Sequence, residues 1–270
     1  ARAETGLWHR GVTMESLTNG DAYFEAGDFE AAMREYAQAI ETDPSDAVAY
    51  FRRGIVLAEQ DAFDAAIEDY SNAIEHDATS SLYHYKRGVA YQSLDQLEQA
   101  IADYSTAVEL DSSNALAHNN RGIARHRMDD FEGAMADYQR AIEIDPSDAK
   151  VFINRGFALQ GNGDLELAIA DYSTAIELEP ENTLAYNNRG LAMRARARLL
   201  QSAAIENFSK AIEIDPSCAE AYSNRGLVLQ ESGRDADAFR DFRAAAELDP
   251  RYSFGPPADE MVDTEATEAE

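Results

Sequence analysis

The sequence predicts an all-α solenoid of seven helical hairpins, and three observations carry that prediction. Glycines that follow a polar residue recur at Gly20, Gly54, Gly88, Gly122, Gly156, Gly190 and Gly226, spaced by 34 residues five times and then by 36. Small residues and one ring follow each glycine in register. With Thr13 as place 1, place 20 is Ala32, Ala66, Ala100, Ala134, Ala168, Ala204 and Ala238, and place 27 is Ala39, Ala73, Ala107, Ala141, Ala175, Ala211 and Ala245. Place 24 is Tyr36, Tyr70, Tyr104, Tyr138, Tyr172, Phe208 and Phe242. Proline closes five of the units, at Pro44, Pro146, Pro180, Pro216 and Pro250. Self-similarity at a fixed period of this size marks stacked supersecondary units that bury their apolar faces on one another.

The period sets seven units at 13–46, 47–80, 81–114, 115–148, 149–182, 183–218 and 219–252. Each holds two helices of about 13 residues, some 20 Å long, which are marginal alone and need their neighbours. Turn signals separate the two helices, as in Ala26-Gly27-Asp28, Gly161-Asn162-Gly163-Asp164 and Ser232-Gly233-Arg234. The glycine and alanine places suit close helix approach, and the ring fills the gap between them. Proline ends the second helix or starts the next turn because it cannot donate to the ladder; Ala78 and Ser112 replace it in repeats 2 and 3. Repeat 6 carries its two extra residues within Arg194 to Gln201, with no glycine there. Either its first helix runs on or its turn is bulged.

Beyond the repeats, Leu7, Trp8 and Val12 in the flank 1–12 are positioned to pack on the first hairpin. The chain starts at Ala1 without methionine, which fits the removal of an upstream segment. Residues 253–270 read as an acidic, flexible tail. No amphipathic capping helix follows repeat 7, so its outer face is a candidate homodimer contact.

The 34-residue period with Gly at place 8, Ala at 20 and 27 and an aromatic at 24 resembles the tetratricopeptide-repeat family. That resemblance implies a right-handed superhelical α-solenoid whose first helices line a concave surface, where extended peptides bind. It implies a non-catalytic protein-binding scaffold.

Composition narrows the function classes. Fifty-one acids against 23 bases give a net charge of −28, which repels nucleic acid and anionic membrane surfaces. No run of 18 apolar residues is present, so no transmembrane helix is expected. A single cysteine, Cys218, excludes an internal disulfide framework and a cysteine-based zinc site. No phosphate-loop, zincin or nucleophile-elbow string occurs, and no metal or other cofactor is expected. His84 and His118 stand at place 4, where other repeats carry Tyr50, Phe152, Tyr186 and Tyr222, and so read as packing rings. The recurring Glu41, Glu75, Glu109, Glu143, Glu177, Glu213 and Glu247 read as a solvated face.

The first helices differ in charge from the rest. Places 1 to 14 of repeats 3 to 6 contain no acid and ten bases. An acidic outer shell around a comparatively basic groove would draw an acidic segment of a protein partner inward. Arg53, Arg87, Arg121, Arg155, Arg189 and Arg225 hold place 7, opposite Asp69, Asp103, Asp137, Asp171, Asn207 and Asp241 at place 23. This pattern reads either as a structural ion-pair ladder or as ligand contact. If it is a ladder, the free bases are Arg52, Lys86, Arg125, Arg127, Lys150, Arg194 and Arg196.

Place 6 is Asn120, Asn154, Asn188 and Asn224 in four successive repeats, each within Asn-Arg-Gly. An amide offers a donor and an acceptor that match a peptide bond; packing between helices is the competing role. The row resembles the asparagine ladder of the O-GlcNAc transferase repeats, which implies a grip on the backbone of an extended partner. The carboxylate clamp of chaperone-binding arrays is absent, because place 5 never carries lysine and place 9 carries no asparagine. Four amide contacts supply roughly 2–6 kcal/mol before ordering costs. Further affinity would have to come from charge and from apolar contacts, with Phe51, Tyr85, Ile153 and Phe157 as candidates.

Overall fold

The computed structural model describes the backbone of residues 2–252 and the side chains from residue 13 onward. Among the described residues every regular element is helical. The side chains of Leu7, Trp8 and Val12, and the tail 253–270, lie outside the described residues. The chain divides into two compact units, 1–189 and 190–270.

The first unit contains α1 (Arg2–Glu25), α2 (Phe29–Thr42), α3 (Ala47–Glu59), α4 (Phe63–His76), α5 (Ser81–Ser93), α6 (Leu97–Leu110), α7 (Ala115–Arg127), α8 (Phe131–Ile144), α9 (Ala149–Asn162) and α10 (Leu165–Leu178). Odd and even helices pair as hairpins, and each even helix packs on the next odd one. The flank expected at 1–12 is continuous with the first helix of repeat 1. In the second unit α12 (Ala219–Glu231) and α13 (Asp235–Leu248) form a hairpin, closed by a 3-10 turn at Pro250–Tyr252. The unit boundary falls within α11 (Thr183–Ile214), a single helix of 32 residues. Repeat 6 is therefore not a hairpin: of the two alternatives, its first helix runs on.

The cause is local. Every interhelix turn has one residue in the left-handed region at place 15: Gly27, Asp61, Asp95, Asp129, Gly163 and Gly233, with φ between 57° and 92°. Glycine adopts that conformation without strain, and aspartate tolerates it better than most residues. Repeat 6 offers Ala195-Arg196-Ala197-Arg198-Leu199-Leu200 at this point. All six are strong helix formers, and none favours the left-handed turn. Caps reinforce two of the other turns, since Asp28 and Asp130 accept hydrogen bonds from Ala31 and Gly133 backbone N–H at 3.0 and 2.9 Å. Such caps contribute about 1 kcal/mol each.

The core runs through each hairpin and onto the first helix of the next repeat. Tyr36, Tyr70, Tyr104, Tyr138 and Tyr172 are all 2% exposed or less, as are the place-20 and place-27 alanines around them. Each ring covers the glycine of its own repeat so closely that a Cβ at Gly54, Gly88, Gly122 or Gly156 would sit 2.7–2.8 Å from Cε1 of the tyrosine. Phe242 covers Gly226 in the same way. Gly190 is the exception: it is exposed, and a Cβ there would meet nothing within 4 Å.

Candidate functional site

The arginine–aspartate register forms a ladder inside the hairpins. Arg53 pairs with Asp69, Arg87 with Asp103, Arg121 with Asp137, Arg155 with Asp171 and Arg225 with Asp241, each by two N–H···O bonds of 2.6–2.9 Å. These carboxylates are buried. Their hydrogen bonds hold Arg53, Arg87 and Arg225 above the ordinary guanidinium pKa. The free Nη1 of Arg87, Arg121 and Arg225 reaches the hydroxyl of Ser71, Ser105 or Ser209 in the preceding repeat at 2.9–3.1 Å. The ladder thus ties helix to helix and repeat to repeat.

Place 4 serves the same ladder. Tyr50, Phe152, Tyr186 and Tyr222 lie under the guanidinium groups of Arg53, Arg155, Arg189 and Arg225 at 5.4–5.8 Å. His84 and His118 do more than fill space, since each Nδ1 lies 3.3 Å from the buried carboxylate of Asp103 or Asp137. Repeat 6 lacks the acid, and Arg189 keeps only its bond to Ser173 at 3.2 Å.

The first helices of successive repeats touch one another, α5 with α7 and α7 with α9, and so make one face. A hydrogen-bonded row runs across it. Asn154 donates to Asn119 Oδ1 at 3.0 Å, Asn119 donates to Asn120 Oδ1 at 3.3 Å, and Asn120 donates to the Tyr85 hydroxyl at 3.2 Å. Asn119, at place 5, is buried and joins the row; the Asn-Asn-Arg-Gly string was its signal in the sequence. Asn120 and Asn154 are half-buried, and each has an N–H and acceptor capacity outside the row. Asn188 accepts from Asn187 at 3.5 Å, and Asn224 belongs to the second unit.

Arg52, Arg125, Arg127 and Arg196, all expected to be free, have partners. Arg52 forms an ion pair with Asp21 and Arg127 one with Asp95, while Arg125 donates to Asp137 at 2.7 Å. Their acids come from the preceding repeat's first helix or turn, or from the second helix, so reading the first helices alone overstated the positive charge. Lys86 is half-buried, and Lys150 and Arg194 are exposed. The apolar candidates also divide. Phe51 and Ile153 are core residues, 8% and 6% exposed, because their side chains turn into the hairpin; Phe157 is 58% exposed and stands edge-on to His126. An open pocket of about 330 Å³ on the α1–α3 face is lined by Asp21, Phe24, Tyr36, Phe51, Arg52 and Ile55.

Among the described residues no group of three or more His, Cys, Asp or Glu is placed to hold a metal ion. No described helix is long and apolar enough to cross a membrane.

The TPR-repeat family model matches residues 20–61, 90–129, 161–194 and 201–233. Further tetratricopeptide-repeat models match 115–148, 137–170 and 219–252. Among curated proteins, no sequence matches. Among solved structures, a crystal structure of MamA protein is 25% identical, covers 63% of this chain and 93% of its own, and superposes with a TM-score of 0.59. YrrB, described as a TPR protein with an unusual peptide-binding site, is 23% identical over 65% of this chain and 90% of its own, with a TM-score of 0.58. A tetratricopeptide repeat protein from Parabacteroides merdae is 16% identical over 88% of this chain and 94% of its own, with a TM-score of 0.63.

Proposed function

Because the chain belongs to the tetratricopeptide-repeat family, we propose that it is a non-catalytic interaction scaffold that receives an extended, acidic segment of another protein. The segment lies on the first-helix face of unit 1–189. The observation that carries this reading is the amide row from Asn154 through Asn119 to Asn120 and Tyr85. The internal bonds fix these amides in orientation, so a partner need not meet the full cost of ordering them. The outward N–H and carbonyl groups of Asn120 and Asn154 then match successive peptide units of an extended chain.

Charge and apolar contacts supply the preference. Lys86 and Lys150 flank the row on helices that contain no acid, in a chain otherwise dense in carboxylates. Phe157 offers an exposed ring on the same helix as Asn154. Binding is accordingly modest and falls with salt, since screening acts over about 8 Å at physiological ionic strength. A solved protein of this fold described as having a peptide-binding site adds plausibility at the level of the fold.

The test is fluorescence anisotropy with a library of extended peptides, acidic and neutral, against the intact chain and two variants. The pair Asn120→Ala and Asn154→Ala should weaken every binder, and the pair Lys86→Glu and Lys150→Glu should weaken the acidic ones selectively. Helicity and melting are followed in parallel. Unchanged affinity in both folded variants would remove the site from this face.

A further inference from the structure

We infer that α11 is an opened hairpin whose missing half is supplied by a second copy of this chain, giving a helix-swapped dimer through repeat 6. In the six closed repeats the place-8 glycine is covered by the place-24 ring of the same repeat, and the place-20 and place-27 alanines are 0–2% exposed. Repeat 6 keeps all four residue types, in Gly190, Ala204, Phe208 and Ala211. They do not meet. Along one continuous helix Gly190 and Phe208 stand roughly 27 Å apart; Gly190 is exposed, and Ala204, Phe208 and Ala211 are only partly buried.

Each half of α11 keeps one hydrogen bond of the kind that joins the regular repeats. Arg189 reaches Ser173 of repeat 5 at 3.2 Å, and Ser209 accepts from Arg225 of repeat 7 at 2.9 Å. These are the same inter-repeat bonds that Arg87 and Arg121 make to Ser71 and Ser105. What each half lacks is the contact inside its own repeat, and the surface that would make it lies on the other half.

An antiparallel pair of α11 helices restores both contacts at once. Setting Gly190 against Phe208 of the partner subunit places the two-fold axis near Leu199, which is the middle of the helix. Charge agrees with this direction. The half 183–198 contains Arg189, Arg194, Arg196 and Arg198 and no acid, whereas the half 199–214 contains Glu206 and Glu213 against Lys210. The contact is isologous and closed, as a two-fold swap requires. It places self-association at repeat 6, where the sequence alone pointed to repeat 7.

The experiment is disulfide trapping with Gly190→Cys and Phe208→Cys introduced together on a Cys218→Ser background. Sedimentation equilibrium of the unaltered chain at the same concentration guards against a folding defect in that variant. Twice the chain mass, with a 190–208 disulfide that joins two chains, is the expected result. A monomer, a 190–208 disulfide within one chain, or a dimer that forms no such cross-link would overturn the inference. A third chain, with Ala197→Gly and Arg198→Asp and with Leu200 and Gln201 removed, restores the 34-residue spacing and a left-handed turn position. It should be monomeric; if it dimerises as tightly as the original, the run-on helix is not the cause and the inference fails.

Discussion

Arg121 grips Asp137 through both Nε and Nη2, at 2.9 and 2.7 Å, with the carboxylate only 2% exposed. Arg125 adds a third donor at 2.7 Å, and His118 Nδ1 stands 3.3 Å away. A buried carboxylate with this many donors is offset by its partners, and so are they by it. Asp137→Ala should therefore destabilise the first unit by about 3–5 kcal/mol, the cost of leaving buried charge unmatched. Chemical denaturation followed by circular dichroism would check this. A loss below about 1 kcal/mol would mean that Arg121 and Arg125 find water instead.

Two glycines of α9 should respond in opposite directions to the same substitution. A Cβ on Gly156 falls 2.8 Å from Tyr172 Cε1, whereas one on Gly161 meets only His126 Nε2 at 3.9 Å. Gly156→Ala should cost about 1–3 kcal/mol through overpacking, more than alanine regains in helix propensity. Gly161→Ala should stabilise by about 0.5–1 kcal/mol. Thermal melts of the two single variants against the parent decide the matter.

Much of the fold was legible because each place in the repeat carries one physical demand. A glycine under a ring, an alanine at a helix crossing and an Arg opposite an Asp are pairings at fixed separation, and the chain prints each of them five times or more. Repeat 6 was only half legible. The sequence showed that its turn lacked glycine, but place 15 emerged as a left-handed position only once Asp61, Asp95 and Asp129 were seen there with positive φ. The groove was harder to read. Arg52, Arg125 and Arg127 belong to first helices without being free, because their acids sit elsewhere in sequence. Asn119 faces inward one residue from Asn120, a difference of about 100° around the helix, and only its neighbours in space reveal that it links the row.

Those left-handed aspartates can be improved. Asp129 has φ of 61°, a conformation that costs a side-chain-bearing residue roughly 1 kcal/mol and glycine almost nothing. Asp129→Gly should be neutral to stabilising by about 1 kcal/mol, while Asp129→Val should be clearly destabilising. Differential scanning calorimetry would rank the three chains; a valine variant as stable as the parent would mean that the turn had rearranged.

The buried tyrosines set an alkaline limit. Burial first, and the neighbouring Asp171 second, push the Tyr172 phenol up to about 12. Tyr36, Tyr70, Tyr104 and Tyr138 are raised further, again chiefly by burial. A phenol with a folded pKa above the unfolded value near 10 holds its proton more tightly in the native state. Its contribution to stability is complete below about pH 10 and is lost as pH rises toward the folded value. Phenolate absorbance should therefore appear in two stages. The buried set ionises at higher pH, together with the loss of helicity. Tyr172→Phe should flatten the fall in stability between pH 10 and 12, because the phenyl ring keeps the packing on Gly156 and has no proton to lose. If all the tyrosines titrate as one population while helicity persists, the rings are not sealed in the hairpins.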